Sequence, residues 1–593
     1  MKIFQFYLIV STFILLPFSA LAQKFSAVEV DYSTVMKDLS EFVPRQMGKN
    51  HVKGLSLALV DGDKVIWCQG FGKANERHNV PATADTLYPI GALSKIFTAT
   101  ETLKLIEKGK LGLDQSPQTA LPGFSIHSRF KKAKALTIRS LLAQHSGLPG
   151  FHIRGMFGPN PESLEDLIGG LKDDYLAAPP QTFYRYSYLD YDLLGRIIEA
   201  KTKKDFSKAI DEEVFLPLGM ESSYFQGETP KGQLAQGYGD GKESPGFKTQ
   251  DVPATGMFSS AKDVAKFLQF LFAGKSGLAL LTAKTRSLFF KEQYPGLAFD
   301  FGLKTGMGWL LNGIDIPGSE ETAWMSGNYP GFYSRIVALD RQKLGLVLLT
   351  NSEAGQKLAA DVTQRAMRLM LQAKYGIKAD LSEPKKTTPP EVMIPGEQLD
   401  RYAGYYSALG QFTQIRREGG HLSTEVMKLG FDLVPIAQDT FIPRIVFLFL
   451  FPISIPQFPV QAQTVEGKDL AILRGLPIPI ALEKIQPHEI PEAWKKRLGE
   501  YQVVNPDGQI EFKKVALTVE NGFLCTSLKV SFPAFDFKDF QFKTPLNPVS
   551  DDDAAVEGLF YGDGATLHAE SQDGVDKISY SGYEFIKKLE TKP

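Results

Sequence analysis

The chain has 593 residues, 43% of them hydrophobic and 22% charged, and a formal net charge of −1. That length exceeds what one hydrophobic core organises and sets an expectation of about two to four domains. The balanced charge gives no electrostatic footprint for nucleic acid, and two cysteines with eight scattered histidines give no metal-ligand spacing, so neither a metal nor another cofactor is expected.

The first residues stand apart. Lys2 precedes an apolar run from Ile3 to Leu16, followed by Pro17 and Ser19-Ala20-Leu21-Ala22. Residues 1–22 read as a bacterial signal peptide cleaved before Gln23, which predicts an exported protein, periplasmic or secreted. No cysteine follows the cleavage point, which argues against a lipid anchor, and no transmembrane span is expected after cleavage. Cys68 and Cys525 fall in alternating segments of different domains and are expected as unpaired thiols.

Residues 31–48 read as a helix. Residues 54–60 and 64–71 read as strands joined by the turn Asp61-Gly62-Asp63. Pro89 and Gly91 mark a turn, after which Ile96, Phe97, Thr100, Leu103 and Ile106 recur at helical spacing, with Gly109 as the stop. On that helix Lys95 lies one turn beyond Ala92, so its ammonium projects back towards residue 92. A short helix over 137–143 runs into Gln144-His145-Ser146-Gly147, and helices follow at 191–200 and from Ser260. Residues 331–340 and 344–350 form a second hairpin, closed by a helix over 354–374 that stops at Gly376. This order predicts an α/β sandwich, one antiparallel sheet flanked by helices with a helical subdomain, over 31–377. A Pro, Lys and Thr-rich stretch at 378–396 reads as a linker.

Beyond it the pattern is all strand and repeats at an offset of about a hundred residues. Arg401–Tyr406 is similar to Arg497–Tyr501, Gly420-His421-Leu422 to Gly522-Phe523-Leu524, and Glu483-Lys484-Ile485 to Glu584-Phe585-Ile586. Two small antiparallel β-barrel-like modules are expected, at 397–487 and 493–593. The apolar run Ile445–Phe451 is too short to span a bilayer and reads as a buried barrel strand.

Several blocks in order carry a resemblance. They are Pro89–Thr98, Leu141–Leu148, Tyr186–Gly195, Gly306-Met307-Gly308-Trp309 and Met325–Phe332. Together they resemble the serine β-lactamase and penicillin-recognising superfamily, in its class C β-lactamase, DD-peptidase and esterase branch. The C-terminal modules look like the lipocalin-like domains appended to some serine peptidases of that branch. The resemblance implies an acyl-transfer site with a serine nucleophile, a lysine one turn on, a Tyr-x-Asn loop, and a wall strand carrying Lys-Thr-Gly or His-x-Gly. Lys95 and Tyr186 match. Ala92 stands at the serine position, Tyr188 at the asparagine position and Met325 at the Lys/His position, while Ser326 and Gly327 are retained. The oxyanion amides fall at Ala92 and Asn328. Lys304-Thr305-Gly306 precedes the Gly308-Trp309 turn, whereas the family's wall strand follows it. Ser94 is adjacent to Lys95, about 100° round the helix from it, and cannot replace residue 92.

Loss of a nucleophilic serine costs about 10⁶ in turnover, and a covalent acyl-enzyme at residue 92 is chemically excluded. Three readings follow. In the first, the protein is a catalytically impaired member that binds a small peptide, ester or cell-envelope ligand and acts in binding or regulation. In the second, it is a hydrolase with non-standard chemistry through Tyr186 and Lys95. In the third, the β modules bind a ligand or surface. Under the first reading Lys95 and Tyr186 persist as a buried hydrogen-bonded pair.

Overall fold

The structure, a computed structural model, describes residues 30–588 except 159–160, 247, 274–279, 383–387, 427–428, 446–452, 534–536, 560–562 and 573. The predicted signal segment lies outside the described residues. None of the described helices is long and apolar enough to cross a membrane.

The first domain is built on a sheet whose central strands are buried on both faces, which is why they read as near-continuous apolar runs, while the strand at 64–75 is only partly covered. Strands β1 (Gly54–Asp61), β2 (Lys64–Asn75), β3 (Ala323–Tyr329), β4 (Phe332–Leu339) and β5 (Leu344–Thr350) lie in the order β3-β4-β5-β1-β2, all antiparallel. The two-residue strand Val80–Pro81 adds to β2 at the far edge, so β3 is the opposite edge. Side chains alternate between two cores. Leu55, Leu57 and Leu59 meet Leu39 and Val43 of α1 (Ser33–Lys49) and Leu358 and Val362 of the closing helix Gly355–Tyr375. Ala58 and Val60 face the helical subdomain, where the helix α2 (Ser94–Glu107) packs against α3 (Leu189–Thr202).

After the linker, the short helix Gly396–Asp400 precedes a closed barrel of eight strands between Gly404 and Ile485, with the short strand Ile453–Ser454 beside it. A second closed eight-stranded barrel, between Gly499 and Lys587, follows the helix Glu492–Lys496. The repeat has a fixed structural register. Leu399 and Trp494, both fully buried, plug the two barrels. Gly404 and Gly499 take positive φ at the first strand. The Tyr406 hydroxyl donates to Tyr402 O and the Tyr501 hydroxyl to Arg497 O. This pairs Arg497 with Tyr402, not with Arg401 as the shared Arg suggests. Strand Thr440–Ile445 ends where the apolar run begins, and the rest of that run lies outside the described residues. Cys68 is half-buried in β2 and Cys525 is buried in the second barrel. Both are free, and burial pushes each thiol up to about 12.

The second barrel is docked on the first domain. The Arg129 guanidinium donates to Gly564 O and Thr566 Oγ1, both at 2.8 Å, and Arg185 donates to Asp563 O. The 149–157 loop donates through Ile153 N–H to Ser581 Oγ (2.8 Å) and through Gly155 N–H to Asp507 (2.9 Å). The Asp563 carboxylate also accepts from Gly410 N–H of the first barrel at 2.7 Å.

Candidate active site

Residue 92 sits in a 3₁₀ turn, Gly91–Leu93, and the α-helix proper starts at Ser94. Gly91 has φ +55°, and a Cβ there would stand 2.7 Å from Asn328 O. A Cβ on Gly327 would stand 2.0 Å from Ile90 O and 2.9 Å from Ala92 N. The wall strand β3 therefore lies directly on the turn, and the backbones of 91–92 and 327–328 touch at the place where the two oxyanion amides are expected. Ser334 Oγ locks this junction by donating to Ile90 O at 2.7 Å. Met325 is buried in the core facing the helical subdomain, Ser326 is half-buried and Asn328 exposed. Lys304-Thr305-Gly306 is not the wall strand: Thr305 bridges Gln293 and Leu310, and it is Leu310 that bridges Trp324 of β3.

Ala92 is 3% exposed. The neighbouring hydroxyl is committed elsewhere. Ser94 Oγ donates to Gly91 O at 2.6 Å and accepts from Met257 N–H at 3.0 Å. It closes the turn and is turned away from the position a nucleophile would occupy.

Lys95 is wholly buried. Its ammonium donates to Gln144 Oε1 (2.7 Å) and Ser187 O (2.9 Å) and stands 3.6 Å from the centroid of the Tyr186 ring, with Tyr188 and Tyr191 at 5.0 and 5.2 Å. Lys95 and Tyr186 thus meet, but as a cation over a ring face, not as the expected hydrogen-bonded pair. Burial brings the Lys95 ammonium down to about 7, and the carboxylates of Asp190, Asp192 and Asp251 oppose that shift. Burial raises these acids in turn: Asp190 and Asp192 well above the carboxylate range and Asp251 to about 6.

The loop carrying Tyr186 and Tyr188 is pinned at nearly every residue. Tyr184 N–H donates to Asp300 (2.6 Å), Arg185 N–H to Gln144 O (2.8 Å), Ser187 Oγ to Pro149 O (2.8 Å) and Tyr188 N–H to Gly150 O (2.9 Å). The Tyr188 ring lies edge-on to Phe151 at 5.0 Å and to Tyr186 at 5.6 Å, and its hydroxyl is pushed up by burial.

Sequence reasoning placed Lys95, Tyr186, Tyr188, Met325 and residue 92 around one site; in the structure Tyr186 and Tyr188 surround the Lys95 ammonium, and Gly327, two residues beyond Met325 on β3, lies against the backbone of residue 92. It missed Gln144, which holds Lys95 from a left-handed conformation (φ +57°), and the acids beneath the lysine. A usable signal existed for two of these acids: Asp190 and Asp192 interrupt the otherwise apolar start of α3, which is buried all round from Leu189 to Gly195. Among the described residues, no group of three or more His, Cys, Asp or Glu side chains is arranged to hold a metal.

This architecture, an antiparallel sheet with the turn that opens the lysine helix against its edge strand, is that of a β-lactamase-type domain. The Beta-lactamase family profile matches residues 39–369, more than half of the chain, and the chain belongs to that family. It is similar to protein flp of Staphylococcus aureus, 27% identical over 326 residues, which cover 53% of this chain and 63% of that protein. The chain thus spans less than two thirds of that relative. It is also similar to the unguisins hydrolase ungD' of Aspergillus campestris, 25% identical over 465 residues, 69% of this chain and 84% of that protein. Among solved structures, SurE matches with TM-score 0.57 at 19% identity, covering 77% of this chain and all of SurE, a likeness of fold.

Proposed function

We propose that this chain is an exported, non-acylating member of the Beta-lactamase family whose cleft binds a small peptide, ester or cell-envelope ligand. The observation that carries the reading is Ala92 at the nucleophile position with the adjacent Ser94 hydroxyl bound to Gly91 O. A methyl group forms no acyl bond, the adjacent Ser94 hydroxyl faces away, and that of Ser334 is given to Ile90 O. Met325 in the wall and the Tyr186–Tyr188 pair make the cleft apolar and aromatic, suited to holding a ligand and not to turning it over. The test is labelling by fluorescent penicillin and fluorophosphonate. The native chain should stay unlabelled, and Ala92→Ser/Tyr188→Asn/Met325→His should gain label. Labelling of the native chain overturns the reading. Export is checked by fractionation: the mature protein should begin at Gln23, outside the cytoplasm.

One observation favours a second reading. A lysine brought to about 7 is matched to proton transfer near neutral pH. If Lys95 activates water, the native chain should hydrolyse esters, and Lys95→Ala or Tyr186→Phe should abolish turnover. No turnover across an ester panel removes this alternative.

A further inference from the structure

The second barrel encloses a cavity of about 300 Å³. We propose that it binds one straight aliphatic chain, as carried by a free fatty acid or a membrane lipid. This site is separate from the cleft and does not depend on the reading given above.

Alternation along the strands builds the lining. Leu517, Leu528, Val530, Phe542, Ile578 and Phe585 point inward, while Lys514, Ser527, Lys529 and Lys577 occupy outward positions between them. The lumen offers few polar groups to orient a polar ligand. The Tyr501 hydroxyl donates to Arg497 O and that of Tyr583 to Asp507, so both rings present carbon to the cavity. Thr544 Oγ1 donates to Gly410 O. A ligand held here is therefore apolar along its length, and any charged end lies at a mouth.

Shape narrows the class further. Thr526, Leu528, Val530 and Phe532 all line the cavity, so it follows that strand for about 20 Å and runs somewhat less along the barrel axis, because barrel strands tilt. The cavity is thus long and narrow, the shape of an extended chain laid along the barrel. Eight strands close on an interior that holds side chains or one small ligand, in keeping with this bore. The ends are made by the rest of the molecule: Ile153 of the first domain, and Leu409-Gly410 at a hairpin turn of the first barrel. Leu409 is 48% exposed, so a hydrophobic residue stands at the mouth with solvent beyond it.

The experiment is calorimetric titration of the full, delipidated chain with straight-chain carboxylates of increasing length. Affinity should rise about four-fold per added methylene and level off between about ten and sixteen carbons. Leu528→Trp and Thr526→Trp, each narrowing the bore, should weaken binding at least about ten-fold. Should one of them fail to fold, the other carries the comparison. A decanoate bearing a terminal diazirine should crosslink to residues lining the second barrel. A decanoyl lysophospholipid that outcompetes decanoate assigns the chain to a membrane lipid; the reverse assigns it to a free fatty acid. Absence of saturable binding, equal binding by both folded variants, or crosslinks outside the barrel each overturn the proposal.

Discussion

At the scale of single residues, Lys95 is the group whose state the fold controls most. Its ammonium is held near 7 in the folded chain against an ordinary 10.5, so between those values the unfolded chain binds more protons. Lys95 therefore makes stability rise with pH across that window. Asp190, Asp192 and Asp251 face it and act in the opposite sense, because their raised values favour the folded state at lower pH; the Asp251 part is complete by about pH 6. In denaturant unfolding from pH 6 to 10, the stability of the native chain relative to Lys95→Met should climb above pH 7. Parallel curves would show that the ammonium is not desolvated. Ser94→Ala gives a second check. It strands the Met257 N–H and should cost about 1–3 kcal/mol in unfolding free energy, with no change in labelling of the native chain. What the sequence made legible here was spacing: residues 92 and 95 on one helical turn, Tyr186 and Tyr188 around Ser187. Gln144 and Asp251 were not legible, since only the tertiary fold brings these loop side chains to the lysine.

At the scale of elements, the decisive contact is between β3 and the 3₁₀ turn before α2. Gly327 is required because a Cβ would overlap Ile90 O, a backbone atom that cannot swing aside. Gly327→Ala should lower stability by about 1–3 kcal/mol, and in the restored Ala92→Ser/Tyr188→Asn/Met325→His background it should also cut labelling, because it parts the two amides. Thermal unfolding and label intensity measure both. Retained label with lowered stability would mean that this junction supports the fold alone. The sheet itself was legible. Leu55–Val60 and Leu344–Leu349 show the runs of strands buried on both faces, and the structure sorts alternate residues into two cores. The short strands and turns between α2 and α3 were not legible, because their apolar residues lack a period long enough to declare itself.

At the scale of the whole molecule, the second barrel braces the cleft. Arg185 precedes Tyr186 and reaches Asp563, while Arg129 ties Leu176 O and Ala177 O to Gly564 and Thr566. Arg129→Ala should loosen this docking by about 2–3 kcal/mol, seen in calorimetry as an earlier, separate transition of the barrel; a single unshifted transition would count against the brace. Sequence repetition foretold two modules but could not foretell this union, whose contacts join residues about 350–440 positions apart, several of them to backbone carbonyls.

The repeated barrel corner has a consequence for how the chain finds its structure. Two neighbouring segments each offer a short helix, a glycine and a tyrosine that closes on its own helix, so during synthesis or refolding either helix can present itself to the wrong set of strands. The plugs differ in size and chemistry. Trp494 is buried at one end of its barrel's core and donates from Nε1 to Ser550 O, and Leu399 has no such donor. The two corners are therefore not interchangeable: exchanging the helices would put an indole where a leucine fits and a leucine where an indole fits, costing packing in both barrels.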